Sequence, residues 1–141
     1  MELKTFTMSD YNEVYALWRS TKGICSCEKC LSLDTEEKVA KFLERNPDTC
    51  FTAVSEGELV GAILSGHDGR NGFIYHLAVA EKVQKQGIGK ALVEKAKAAL
   101  KREGINNIML FALKENKGGN IFWEKSGFEE MDNAYARKLN V

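Results

Sequence analysis

The sequence has 141 residues, the length of one domain, and 44% of them are hydrophobic, which is enough for a buried core. Twenty basic side chains balance twenty acidic ones, so no overall charge favours nucleic acid or an anionic membrane as a partner. The longest apolar runs are strand-sized and no apolar signal region follows a basic start, so we expect a cytoplasmic protein that does not enter a membrane.

The first third of the chain predicts one short strand followed by two helices. Residues 3–6 are predicted to form the strand, and an apolar stripe with helical spacing predicts a helix that runs to about Arg19. Asp34 followed by Glu37 resembles a capping box, which places the start of the second helix at Asp34. That helix is expected to stop before Pro47.

Three of the four cysteines lie between these two helices, in the pattern C-S-C-E-K-C. They are Cys25, Cys27 and Cys30. Two interpretations are open: reduced thiols of an intracellular protein, or a soft-metal site with Cys50 or His67 as a fourth ligand. Because no second C-x-x-C pair accompanies the pattern, we expect no metal.

The middle of the chain predicts an antiparallel hairpin and a further strand. Strands over residues 50–55 and 58–65 flank a glycine-containing turn. The polar segment 66–72 is predicted to be the next turn. The segment 73–80 is apolar, aromatic and β-branched, which is typical of a buried strand.

This strand is followed by a glycine-containing loop and by a helix over residues 90–103. Gly87 and Gly89 allow the backbone to come close to a ligand. The start of a helix presents unpaired N–H groups and a partial positive charge, so the arrangement predicts a phosphate-binding site. The neighbouring basic side chains are Lys82, Lys85 and Lys90.

An apolar strand is predicted after this helix, over residues 107–113. The unit from Phe73 to Leu113 is therefore strand–helix–strand, which predicts a right-handed crossover and a parallel pair of strands. A final strand is predicted over residues 134–139.

Two segments carry a resemblance to a known family. The segment Gln84-Lys85-Gln86-Gly87-Ile88-Gly89 resembles the Q/R-x-x-G-x-G/A signature of the GNAT superfamily of acyl-CoA N-acyltransferases. Residues 116–128 resemble the family pattern N-x-x-A-x-x-x-Y-E-K-x-G-F, with Trp123 at the position of the tyrosine. The resemblance covers residues 50–139 well and the first third of the chain loosely.

The resemblance implies a single GNAT-like domain over residues 1–141, of the α/β (α+β) class. Its central sheet is expected to be mixed and mostly antiparallel, with about seven strands, a parallel splayed pair and about four flanking helices. The pantetheine arm of CoA is expected between the splayed strands. The connection between the first two helices, residues 20–34, is expected either to flank the acceptor site or to be a solvated surface loop.

The implied function is an acetyl-CoA-dependent N-acetyltransferase. Such an enzyme moves the acetyl group directly to a primary amine, on a small molecule or a protein N-terminus, without a covalent enzyme intermediate. The alternative is a catalytically silent CoA-binding regulatory module, because Trp123 replaces the tyrosine that often protonates the CoA thiolate. The expected partners are acetyl-CoA and the amine acceptor, in a monomer or a homodimer.

The resemblance also assigns the residues that contact acetyl-CoA. Backbone amides of the glycine loop are expected to hold the pyrophosphate, and amides of the preceding strand are expected to bind the thioester carbonyl and the pantetheine. The assigned residues are Leu77, Ala78, Val79, Gln84, Lys85, Gln86, Gly87, Ile88, Gly89, Lys90, Asn116, Gly119, Phe122 and Trp123.

The candidate catalytic residues are fewer. His76 lies on the predicted strand before the glycine loop, and a histidine has a pKa suited to a general base. A chain of water molecules is the alternative base. Tyr75 and Tyr135 are the candidate acids for the CoA thiolate, since an indole at position 123 has no proton to give near neutral pH.

Overall fold

A five-stranded sheet organises the first of two compact units, residues 1–111, in the computed structural model, which describes residues 1–141. All neighbouring strands are antiparallel except the last two, which are parallel. The strands, in chain order and in sheet order, are β1 (Glu2–Thr5), β2 (Phe51–Ser55), β3 (Glu58–His67), β4 (Gly72–Val79) and β5 (Ile108–Leu110). The predicted hairpin, the parallel pair and the mixed α/β class are confirmed.

Five α-helices accompany the sheet, against a prediction of about four. The additional helix is a single turn, Glu28–Leu31, within the connection between the first two predicted helices, residues 20–34. The helices are α1 (Tyr11–Ser20), α2 (Glu28–Leu31), α3 (Glu36–Arg45), α4 (Ile88–Arg102) and α5 (Lys117–Lys125). None of them combines the length and the apolar character that a membrane-spanning helix requires.

The helices of the first unit cover both faces of the sheet. Apolar side chains of α1 and α3 pack with alternate residues of β3 and β4 in one cluster, which includes Trp18, Val39, Leu64 and Ala78. On the other face, α4 packs against β3 through Leu92, and a β-carbon at Gly61 would lie only 3.0 Å from a Leu92 methyl carbon. Gly61 therefore lets α4 approach the sheet closely.

The start of α3 corrects one prediction. The N-cap residue is Thr35, whose Oγ1 accepts a hydrogen bond from the backbone N–H of Lys38 at 3.3 Å. The predicted capping box at Asp34 is wrong, because the Asp34 side chain contacts β4 instead. A threonine oxygen satisfies the orphan N–H, so the carboxylate one residue earlier is available for another partner.

A bulge interrupts the pairing of β3 with β4. Leu64 pairs with His76 and Ser65 pairs with Ile74, so Tyr75 has no partner on β3. An inserted residue breaks the alternation of side chains along a strand. Tyr75 and His76 consequently face the same side of the sheet, where the Tyr75 ring lies 5.3 Å from the ring of Phe42 on α3.

The second compact unit, residues 112–141, contains α5 and an irregular C-terminal segment. Asn116 caps α5 by accepting a hydrogen bond from the backbone N–H of Gly119 at 3.1 Å. A β-carbon at Gly119 would collide with the Asn116 side chain, so the cap requires a residue this small. The helix cap therefore explains why the second motif has an asparagine and a glycine at these two positions.

The final strand, predicted over residues 134–139, is wrong. This segment has no regular secondary structure, and Tyr135 and Leu139 are 90% and 85% exposed. Only these two large apolar side chains occur in the segment, which leaves little to bury on a sheet. The sheet consequently has five strands and not about seven.

Candidate active site

The second half of β4 has a free edge. β5 pairs only with Gly72, Phe73 and Ile74, and beyond Ile74 the neighbour of β4 is β3 alone. The backbone N–H of Ala80 donates to the carbonyl of Val60 on β3 at 2.8 Å. Parallel pairing thus ends where the sequence resemblance implied that the two strands splay apart.

Alternation along the ladder decides which backbone groups face this free edge. Residues two apart on a strand turn their N–H groups to the same neighbour, so Ala78 faces β3 as Ala80 does. The N–H groups of Leu77 and Val79 point the other way, to the side where β5 has ended. The bulge at Tyr75 produces this phase. The N–H of Gly72 donates to Asn107 just before β5, so unbroken alternation along β4 would have turned the N–H groups of His76 and Ala78 to that side.

The glycine loop follows β4 and turns sharply into α4. Lys85 and Gly87 both have left-handed backbone angles, with φ of 62° and 86°. Gly87 is the N-cap of α4 and supplies no side-chain hydrogen bond, so the first N–H groups of the helix have no side-chain partner. The left-handed N-cap has open space around it, which leaves room beside the first N–H groups of the helix.

The side chains of the loop play different parts. The Gln84 side-chain amide donates to the carbonyl of Val79 at 3.0 Å, which ties the loop to the end of β4. Ile88 is buried and packs towards Gly61. Lys82 forms an exposed ion pair with Glu58, whereas Lys85 and Lys90 form no ion pair and keep their charge available. The exposed residues of the loop include Gln84, Lys85, Gln86 and Gly87.

A buried carboxylate orients His76. Nε2 of His76 lies 2.9 and 3.1 Å from the two carboxylate oxygens of Asp34, which is only 5% exposed. The Tyr11 hydroxyl donates to the Asp34 carbonyl at 2.7 Å and fixes the backbone there, and burial raises the pKa of Tyr11. A carboxylate only accepts hydrogen bonds, so a neutral His76 carries its proton on Nε2 and leaves the lone pair on Nδ1.

Nδ1 of His76 has no partner within the chain. It forms no hydrogen bond there and is not fully buried, and the His76 side chain as a whole is 21% exposed. The Trp18 ring covers the imidazole at 4.8 Å between ring centres. The imidazole is thus held by an aromatic ring on one side and a carboxylate at Nε2, while Nδ1 has no partner within the chain.

Aromatic rings continue this surface along β4. The Tyr75 ring lies 4.7 Å from that of Phe73, and the Phe73 ring lies 5.1 Å from that of Phe111. Tyr75 is 53% exposed. The buried part of its side chain raises the pKa of the phenol, and the negative charge of Asp68 raises it further. A phenol with a raised pKa stays protonated at neutral pH and can donate a hydrogen bond.

The remaining candidate residues belong to the second unit. The Trp123 ring packs between the rings of Phe122 and Phe128, at 5.0 and 5.3 Å. Tyr135 is almost fully exposed and its ring contacts the guanidinium of Arg137. Nothing in its surroundings would position Tyr135 as an acid.

The metal site with a fourth protein ligand is not formed. The Cys50 thiol is buried and donates to the carbonyl of Ser65 at 3.1 Å, and burial raises its pKa to about 12. Nδ1 of His67 accepts a hydrogen bond from the backbone N–H of Gly69 at 3.0 Å. Neither residue lies with the three loop cysteines, whose sulfur atoms are within 4.8 Å of one another.

Sequence reasoning missed Asp34 as a partner of His76. The two residues are 42 positions apart, and Asp34 was assigned to a helix cap. The available signal was Thr35, which is also a favoured N-cap residue and is followed directly by the acidic first turn of α3. A cap at Thr35 leaves the neighbouring carboxylate free for another role.

Comparisons with known proteins agree with this architecture. The model of the acetyltransferase (GNAT) family matches residues 11–128. An acetyltransferase of Photorhabdus laumondii is 31% identical over 134 residues, covering 92% of this chain and 87% of the relative. An acetyltransferase of Sodalis glossinidius is 31% identical over 136 residues, covering 94% and 89% of the two chains.

Solved structures show the same fold. The PaiA N-acetyltransferase of Thermoplasma acidophilum, in complex with coenzyme A, superposes with a TM-score of 0.80 and 22% identity, covering 94% of this chain and 92% of that one. Ard1 of Thermoplasma volcanium superposes with a TM-score of 0.78 and 19% identity, covering 91% and 82%.

Proposed function

The chain belongs to the GNAT acetyltransferase family, and from this premise we propose that it moves the acetyl group of acetyl-CoA directly to a primary amine bound beside His76. One observation carries the proposal. On β4, His76, which pairs with Asp34, directly precedes Leu77, and the N–H groups of Leu77 and Val79 face the free edge. A proton acceptor and donors for a developing oxyanion are therefore within reach of one reacting carbon.

Acetyl-CoA is proposed to bind along the free edge of β4 and at the start of α4. The N–H groups of Leu77 and Val79 would hold the pantetheine and the thioester carbonyl, while Ala78 is turned to β3 and would contribute only packing. The pyrophosphate would lie on the loop of residues 84–89, with Lys85 and Lys90 adding positive charge.

The motif residues of the second unit are given different roles in this proposal. Asn116 and Gly119 are explained by the cap of α5, so their part is to shape the start of that helix. Phe122 and Trp123 are proposed as apolar contacts of the pantetheine, an assignment that rests on the motif. Tyr135 is not retained, because its ring is exposed and unsupported.

The acceptor amine must lose a proton before it attacks. An alkylammonium has a pKa of roughly 10 and is charged at neutral pH. Nδ1 of His76 is proposed to accept this proton, and the Asp34 carboxylate to stabilise the imidazolium through Nε2–H. The buried negative charge of Asp34 also favours a cationic acceptor at this place.

The neutral amine then attacks the thioester carbon. The carbonyl oxygen becomes negative and is stabilised by backbone N–H groups, after which the carbon–sulfur bond breaks and CoA leaves as a thiolate. The amide nitrogen releases its second proton to water, and the thiolate takes up one proton from water or from the Tyr75 phenol, which solvent then reprotonates. The products are an N-acetyl amine, CoA and the proton held by His76, which passes to solvent.

The test is a panel of amines, from small polyamines and amino-acid amides to peptides with free N-termini, assayed for CoA thiol release. Mass spectrometry should identify a product heavier by one acetyl group for at least one amine class. Binding of acetyl-CoA in the absence of turnover with every amine would favour the alternative, a silent CoA-binding module. Activity that is unchanged in His76→Gln would reject the proposed base.

A further inference from the structure

Three thiols converge in the loop between α1 and α3. Sγ of Cys27 lies 3.2 Å from Sγ of Cys25 and 3.2 Å from Sγ of Cys30. All three are free thiols, and Cys27 is exposed while the other two are half-buried. The three sulfur atoms thus form a compact group at the surface, and neither the acetyl transfer nor the core uses them.

The spacing of these sulfur atoms suits a soft metal ion. A tetrahedral ion with zinc–sulfur bonds of about 2.3 Å places its sulfur ligands about 3.8 Å apart. The observed separations of 3.2 Å, with all three within 4.8 Å, differ from this by roughly half an ångström to one ångström, a change that side-chain rotation can supply. The backbone needs no rearrangement to hold the ion.

The charges around the loop favour an anionic thiolate complex. Three thiolates and a divalent ion carry a net charge of −1. Nη2 of Arg19 lies 3.4 Å from the Cys25 carbonyl, and its Nε and Nη1 are buried without a hydrogen-bond partner. Within the cluster sequence the charge of Lys29 is offset by that of Glu28, so the positive charge beside the thiols comes from Arg19. A guanidinium with unused donors beside the loop stabilises negative charge there.

We propose that Cys25, Cys27 and Cys30 bind one thiophilic d¹⁰ cation of the zinc class, with a fourth position open to solvent. On binding, three sulfur–metal bonds form, three thiol protons pass to solvent and the ion gives up water ligands. The ion takes no part in acetyl transfer. Nothing in the proposal depends on the acceptor site, so it stands or falls separately from the proposed function.

The proposal has a structural consequence for the whole loop. The N–H of Leu31 donates to the Cys27 carbonyl, and the N–H of Asp34 donates to the Leu31 carbonyl. A continuous set of hydrogen bonds therefore connects the thiols to the segment that carries Asp34. Metal binding should lower the amide hydrogen-exchange rates of residues 25–34.

The experiment uses the full chain, reduced and freed of metal with a chelator under anaerobic conditions. Zinc is titrated in competition with a chromophoric chelator, and cobalt(II) is added separately to reveal thiolate-to-cobalt charge transfer. The expected result is one ion per chain and protection of three thiols from a thiol reagent. Ser26→Ala, which changes a neighbour that supplies no sulfur, should bind zinc as the unmodified chain does.

Single variants locate the ligands. Cys25→Ser, Cys27→Ser and Cys30→Ser should each weaken zinc binding by at least about tenfold. Their circular dichroism and melting temperature should match those of Ser26→Ala, because the loop thiols lie outside the core. Two results would overturn the proposal. One is that the unmodified chain binds no more zinc than a variant with serine at all three cysteine positions. The other is that the thiols form a disulfide and the chain takes up no metal.

Discussion

The two ends of the free edge of β4 are built in different ways. At the end that leads into α4, the groups offered to a ligand are backbone N–H groups of a loop with left-handed residues. At the other end, the group is the side chain of His76 on β4, held by the buried side chains of Asp34, from the loop before α3, and Trp18, from α1. The first end depends on backbone shape and the second on side-chain identity.

This difference predicts opposite sensitivities to mutation. The loop should tolerate changes of exposed side chains such as Gln86 but not changes that force φ to negative values. The His76 end should tolerate substitutions of nearby exposed side chains, but not the loss of the Asp34 carboxylate or of the His76 imidazole. The following predictions test this contrast, from the largest expected effect to the smallest.

The largest effect is expected from His76→Gln. Loss of the general base should lower kcat by about 10²- to 10⁴-fold while the affinity for acetyl-CoA is kept. The control is His67→Gln, since His67 is the other histidine of the chain and lies at the end of β3, where its Nδ1 accepts a hydrogen bond from Gly69. Steady-state kinetics and a thermal shift with acetyl-CoA separate the two effects. Equal losses in both variants would contradict the role of His76.

The next effect is expected from Gly87→Val. A β-branched residue is strained at φ of 86°, so the loop should lose its shape and its ligand. Saturating acetyl-CoA at about 100 times its dissociation constant should stabilise the unmodified chain by roughly 2.7 kcal/mol, and this gain should vanish in the variant.

Gly57→Val is the matched control for this variant. Gly57 has a similar φ of 77° and similar open space, but it lies in the β2–β3 turn. Both variants should therefore pay a similar cost in folding, and only Gly87→Val should lose the stabilisation by acetyl-CoA. A thermal shift preserved in Gly87→Val would show that the loop does not hold the co-substrate.

A smaller loss is expected from Asp34→Asn. The amide keeps the shape of the carboxylate but no longer stabilises the imidazolium, so kcat should fall by roughly 10- to 100-fold. Asp68→Asn is the control, because Asp68 is exposed and caps a surface turn through backbone N–H groups. Activity of Asp34→Asn within twofold of the control would argue against an electrostatic role for Asp34.

The smallest effect is expected from Tyr75→Phe. The phenol is half-exposed, and burial raises its pKa, so it stays protonated as the pH rises through neutrality. Its removal should therefore neither introduce nor abolish a basic limb in the pH profile of kcat below about pH 9. We expect a change in kcat of less than about tenfold. A loss as large as that of His76→Gln would make Tyr75 the acid for the thiolate.

The sequence supported the loop end of the site better than the His76 end. Strand, loop and helix are contiguous from Gly72 to Arg102, so local composition and two glycines were enough to predict them. The bulge at Tyr75 was not predictable, because one inserted residue in an apolar strand leaves no compositional mark. That single residue decides which N–H groups of β4 are free.

The predictions that depended on long-range contacts were wrong for related reasons. Asp34 satisfied a local rule for helix caps, and nothing local distinguishes a capping carboxylate from one that binds a distant imidazole. The final strand was predicted from a segment with two large apolar residues, which the structure leaves exposed. In both cases the answer depends on packing partners far away in the sequence.

The most direct test of the account is a double-mutant cycle between Asp34 and His76, measured as kcat/KM with the best amine of the panel. If Asp34 acts through His76, Asp34→Asn should lower kcat/KM almost no further when it is added to His76→Gln. The double variant should then match His76→Gln alone. Losses that multiply would contradict the account, because they would mean that the two residues act independently and not as one proton-accepting unit.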